Sequence, residues 1–106
     1  VDEIAAAREA RREELALGLA SEAQTLLRTP DPSPAALLRL ASLVMDGWKL
    51  RRGIDVGSKQ QGRGLFTVMA ASEPELAGLL RGALPIHTAS RGALARAAGL
   101  VFAPAP

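Results

Sequence analysis

The sequence predicts a mostly α (α+β) fold: an antiparallel helical hairpin, one or two short β-strands, and two shorter C-terminal helices. Three observations predict it. Residues 2–28 and 33–52 carry apolar side chains at helical spacing and are separated by the proline-rich turn TPDPSP, Thr29–Pro34. A glycine-rich stretch, 53–64, then leads into a short β-favouring run, Leu65–Ala71. Two further apolar segments follow, with capping residues at Ser72 and at Thr88 or Ser90.

Composition sets the limits. A chain of 106 residues is expected to form one domain, with residues 1–52 as hairpin and oligomerisation region and 53–106 completing the same compact unit. Apolar residues make up 48% and aromatic ones only 3%, so the core is built from Leu, Ala and Val. A core of such small side chains gains by burying more surface between subunits, which predicts a homo-oligomer. With no cysteine, disulfides and thiolate metal sites are excluded; a single histidine argues against a typical zinc site, and no cofactor is expected. No signal peptide or apolar run of transmembrane length is visible. The expected setting is therefore cytoplasmic or intravirion, without membrane partners.

The first helix, 2–28, has a narrow apolar stripe of Ile4, Ala7, Leu15, Leu19, Ala23 and Leu26. Ile4, Leu15 and Leu26 are spaced by eleven residues, close to the period of a straight helix. Glu9 with Arg12 and Arg11 with Glu14 add weak helical support. Arg11 interrupts the stripe, so the first half either projects toward another subunit or is a solvated end. Three prolines in TPDPSP stop the helix and turn the chain back.

The second helix starts with Ser33 as N-cap and Pro34 at the first helical position. Leu37, Leu40, Ala41, Val44 and Trp48 share one stripe, and Leu38 and Met45 widen it, so contacts on two sides are expected. Leu37, Leu40, Val44, Met45 and Trp48 are the candidate core or oligomer interface. Gly47 either permits close helix packing or is simply tolerated, the expected reading, at about 1 kcal/mol relative to Ala. Lys49, Arg51 and Arg52 crowd the last turn, where cations favour the carbonyl end, and Gly53 suits the left-handed position beyond it.

Net charge is only +2 and the pI is 9.9, but the distribution is uneven. Residues 1–52 hold eight basic and eight acidic side chains, whereas 49–63 holds five basic residues against Asp55. Lys49, Arg51, Arg52, Lys59 and Arg63 are therefore the candidate phosphate contacts, set against a plain solvated loop. The glycines of 53–64 match neither a Walker A loop nor a dinucleotide fingerprint in spacing.

Leu65–Ala71 reads as a strand because Phe66, Thr67 and Val68 favour extended structure, with Ile54–Val56 as its partner; a buried helix start is the alternative. The third helix, Ser72–Leu84, opens on a capping box in which Ser72 caps and Glu75 reaches back. Leu76, Leu79, Leu80, Ala83 and Leu84 form its apolar face, and Pro85 helps end it. A fourth helix, Thr88–Ala98, is expected to stop at Gly99. Gly92–Leu100, GALARAAGL, resembles the first half of a helix-turn-helix, but no recognition helix follows. Leu100, Val101 and Phe102 are the candidate partner-docking residues, on the core or on another chain.

Catalytic parts are missing. His87 stands alone after Pro85-Ile86, Asp46 has no partner, and Ser58-Lys59 lies on a glycine loop without rigid support. A non-enzymatic protein is expected.

The long helix, the TPDPSP turn and the Ala/Leu-rich second helix, Leu15 to about Arg52, resemble the central oligomerisation hairpin of phage terminase small subunits and their relatives in gene transfer agents. The resemblance implies a ring-forming recognition subunit that engages packaged DNA and stimulates a separate large-terminase ATPase-nuclease. Many small terminases carry an N-terminal helix-turn-helix, which is not seen before this hairpin, so the DNA contact expected is nonspecific and salt-dependent. Gly64–Pro85 also resembles the last strand–helix unit of small ferredoxin-like dimers, some of them isomerases or binding modules. A helical adaptor or virion component without a nucleic-acid role is the third reading.

Overall fold

The computed structural model describes residues 2–52 and 62–102, the side chain of Arg63 excepted. It contains helices α1 (Asp2–Arg28), α2 (Pro34–Arg51), α3 (Gly62–Ser72), α4 (Pro74–Ala83) and α5 (Ser90–Phe102). No strand occurs among the described residues.

The hairpin forms as its local chemistry dictates. Asp2 and Glu3 sit in the first turn of α1 and Arg28 in its last, each complementing the helix dipole. Asp31 takes a left-handed φ of 52°, a conformation Asp adopts more readily than most residues, and the chain reverses there. Ser33 then accepts the Ala36 N–H at 3.1 Å, capping α2, with Pro34 in the first turn. The two helices run antiparallel. Glu22 near the end of α1 meets Arg39 near the start of α2, while the end of α2, at Gly47 and Arg51, faces Glu13–Ala20 of α1.

Helix α2 lies at the centre of the core. Leu37, Leu40, Ala41, Val44 and Trp48 are all buried, as the stripe requires. The second buried side is formed by Leu43, Gly47 and Leu50, not by Leu38 and Met45. Leu38 is 53% exposed and Met45 only half-buried. The difference follows from α5, which packs on α2 on the side of Gly47. A Cβ built on Gly47 would stand 2.5 Å from Phe102 Cε1 and 2.7 Å from Val101 Cγ1. Gly47 is therefore a close-packing residue rather than a tolerated flaw.

The expected strand at Leu65–Ala71 is instead α3. Leu65 and Met69 are buried and Phe66 and Ala70 half-buried, whereas Thr67, Val68 and Ala71 are exposed. That is a helical i, i+4 pattern; a strand would have set Leu65, Thr67, Met69 and Ala71 on one face. Burial of one stripe overrides the extended preference of Phe66, Thr67 and Val68. The proposed pairing segment Ile54–Val56 and the cap residue Gly53 lie outside the described residues. With α3 and α4 both helical, the strand–helix unit of the ferredoxin-like reading is absent from 64–85.

The capping box is corrected as well. Ser72 is the last residue of α3, and its hydroxyl donates to the Val68 carbonyl at 2.8 Å. Glu73 holds the cap position of α4 without a side-chain cap bond, so α3 and α4 are joined by that one residue. Leu76, Ala77, Leu80 and Ala83 of α4 are buried, while Leu84 lies outside the helix and is exposed.

Gly99 does not end the last helix. The buried spacing Leu94, Ala97, Ala98, Val101 continues through it, so the core carries α5 on to Phe102. Ser90, buried at the start of α5, donates its hydroxyl to the Ala83 carbonyl (2.6 Å) and accepts the His87 N–H (2.8 Å), which ties the end of α4 to α5. Arg91 donates to the carbonyls of Leu27 and Thr29, satisfying groups at the C-terminal end of α1.

Candidate functional site

Three cations end α2, yet two of them are held by the chain itself. Arg51 donates through Nη1 to the Leu100 carbonyl at 3.0 Å, one of the carbonyls that the end of α5 leaves free. Through Nη2 it reaches Glu73 Oε1 at 3.3 Å. Arg52 donates to Ser72 Oγ at 3.4 Å and lies over Trp48, 5.3 Å from guanidinium carbon to ring centroid. Lys49 is half-buried. Lys59 and the side chain of Arg63 lie outside the described residues.

Glu73 is the centre of this cluster. Its Oε2 accepts the Trp48 indole N–H at 2.5 Å while Oε1 faces Arg51. The indole is fully buried and its polar atom is satisfied only because this carboxylate reaches it from the α3–α4 corner. A single carboxylate thus binds the end of α2 to the start of α4 on both of its oxygens.

The candidate partner-docking residues separate. Val101 is buried and Phe102 half-buried against α2, so both dock on their own chain; Leu100 alone is exposed. The candidate interface residues separate in the same way. Leu37, Leu40, Val44 and Trp48 belong to the core of the single chain, while Met45 lines an apolar surface groove with Leu38, Phe66 and Leu84, of about 340 Å³.

The most open apolar surface is on α1. Every residue of 2–15 is exposed, and Ala23 alone of α1 is fully buried. At the rise of an α-helix, that bare half projects by about 20 Å. It carries Ile4, 62% exposed, and Leu15, and just beyond it Leu17 is 72% exposed. Beside Leu17 a groove of about 560 Å³ runs between α1 and the ends of α2 and α5, with Glu13 and Arg51 on its rims and Val101 and Phe102 in its lining.

The remaining polar residues have structural roles. His87 Nε2 lies 2.5 Å from the Gly82 carbonyl and Nδ1 accepts the Ala89 N–H, an arrangement met by the neutral tautomer with its proton on Nε2. Both ring nitrogens are therefore engaged in a turn. Asp46 adds a minor favourable charge to Arg39, whose main partner is Glu22, at 2.6 and 3.0 Å. That hydrogen-bonded guanidinium holds the Glu22 carboxyl below its ordinary value. The described residues contain no group of three or more His, Asp or Glu able to hold a metal. Ser58 and Lys59 lie outside them.

Sequence reasoning missed Glu73 as a partner of Trp48, and Arg91 as a cap of α1. Neither leaves a local signal, because both pairs join residues far apart in the chain.

No protein-family model, curated protein or solved structure matches this chain. Over the described residues the fold is an all-helical five-helix unit with an unpacked helical arm. None of its described helices is long and apolar enough to cross a membrane.

Proposed function

We propose that this chain is a non-enzymatic, self-associating DNA-packaging recognition subunit of the terminase small-subunit type. In this reading it engages DNA, regulates a separate large-subunit ATPase-nuclease, or does both, and works in the cytoplasm of a bacterial host. The observation that carries the reading is the antiparallel α1–α2 hairpin, in which the first half of α1, 2–15, stands free of the core. A long helix with exposed Ile4, Leu15 and Leu17 suits association with a further copy of the chain, and head-to-tail association gives a ring where the rotation between copies closes. Lys49, Arg51 and Arg52 at the exit of α2, with Lys59 and Arg63 after it, are the proposed nonspecific phosphate contacts. Native mass spectrometry of the chain at moderate salt tests the reading: a closed higher-order ring is expected, and a monomer or simple dimer would overturn it.

A helical adaptor or virion component without a nucleic-acid role is the second reading. It is favoured by Arg51 and Arg52, which bond within the chain. Retention of the protein on duplex DNA, lost steeply with added salt, separates the two.

A further inference from the structure

We infer that Glu73 is an internal competitor for phosphate at the end of α2, a latch that DNA must displace to engage Arg51. The inference rests on the DNA-engaging reading and concerns how that site is regulated. Glu73 occupies the place an incoming anion would take. One carboxylate oxygen faces Arg51 Nη2 and the other takes the Trp48 N–H. Arg52 is drawn the same way, toward Ser72 Oγ and the face of Trp48. These five residues meet where α2 leaves the core and the α3–α4 corner closes over it.

The ion pair is poised rather than locked. Arg51 stays 46% exposed at its side chain, and its contact with Glu73 is long, at 3.3 Å. Partly exposed pairs of this kind contribute little to stability, so a polyphosphate that presents several charges can outcompete a single carboxylate. Displacing Glu73 from Arg51 also disturbs its bond to the Trp48 indole. The only tryptophan in the chain therefore reports on the latch.

The experiment compares full-length wild type, Glu73→Gln and Glu75→Gln for retention of a duplex oligonucleotide over a salt series. Gln at position 73 keeps an acceptor for Trp48 and removes the charge paired with Arg51 Nη2, leaving the Nη1 bond to the Leu100 carbonyl in place. Glu75 lies exposed in the first turn of α4, so Glu75→Gln carries the same change in net charge without touching Arg51. Glu73→Gln is expected to bind about two- to fivefold tighter than Glu75→Gln, the scale of one released surface ion pair. Equal binding by the two variants, with the wild type retained on DNA, overturns the latch and leaves the DNA reading standing. No retention by any of the three overturns both. If Glu73→Gln does not fold, as read by circular dichroism, the wild type decides: Trp48 emission is expected to change as the oligonucleotide saturates, and retention without any change overturns the latch.

Discussion

Trp48 and Glu73 join α2 to the α3–α4 corner: the buried indole N–H of α2 donates at 2.5 Å to a carboxylate that enters from that corner. Glu73→Ala removes the acceptor and leaves that donor buried without a partner. A loss of about 1–3 kcal/mol is expected, the cost of one unsatisfied buried donor. Denaturant unfolding followed by Trp48 fluorescence measures it. An unchanged midpoint would mean that water reaches the indole.

Gly47 and Gly18 are both helical glycines, yet opposite outcomes are expected when each is replaced by Ala. Gly18 has nothing within 4 Å of an added Cβ, so Gly18→Ala gains helix propensity, about 0.5–1 kcal/mol. Gly47→Ala drives a methyl into Phe102 and Val101, and overpacking of about 1–3 kcal/mol outweighs the same gain in propensity. Thermal unfolding of the two variants is expected to move the midpoint up for Gly18→Ala and down for Gly47→Ala. A rise for Gly47→Ala would show that α5 yields at its C-terminal end.

Arg39→Gln tests the ion pair on the outer face of the hairpin. Arg39 lowers the Glu22 carboxyl below its ordinary 4.5, so on acidification the unfolded chain takes up this proton before the folded one does. The stabilisation from the pair is complete above 4.5 and is lost as pH falls through the lower folded value. Any excess in melting temperature of wild type over Arg39→Gln is therefore expected to shrink below pH 4.5. A difference that grows on acidification would contradict the pair.

On the proposed self-association, changes on the free arm of α1 are expected to act on assembly and not on the core. Ile4→Glu with Leu17→Glu alters two residues exposed at 62% and 72%. Helix content by circular dichroism is expected to stay the same while the oligomer seen by native mass spectrometry becomes smaller. An unchanged assembly would place the contact elsewhere, and the groove at Leu38, Met45 and Leu84 would then be the next surface to alter.

Signals within a few residues were sufficient for the hairpin. The spacing of Ile4, Leu15 and Leu26, the three prolines of TPDPSP, and Ser33 followed by Pro34 each act on the backbone beside them, so α1, the turn and α2 are legible from the chain alone. The stripe from Leu37 to Trp48 was legible for the same reason, because helical period alone puts those residues on one face.

Everything that depended on a distant partner was decided in three dimensions. Leu65–Ala71 has side chains suited to a strand, and the burial of Leu65 and Met69 against the rest of the core made it a helix. Ser72 reads as a helix-start residue but ends α3 and bonds to Val68, and Glu73, at the start of α4, sends its carboxylate back to Trp48 and Arg51 on α2. Gly99 reads as a stop, but Val101 beyond it had a core to enter. Local preferences at such positions amount to about 1 kcal/mol or less, while burying a single large apolar side chain contributes about 1.5–3 kcal/mol. Where the two disagree, packing wins, and the exposed Arg51 and Arg52 bond to Leu100, Glu73 and Ser72 because the fold brings those residues beside the end of α2.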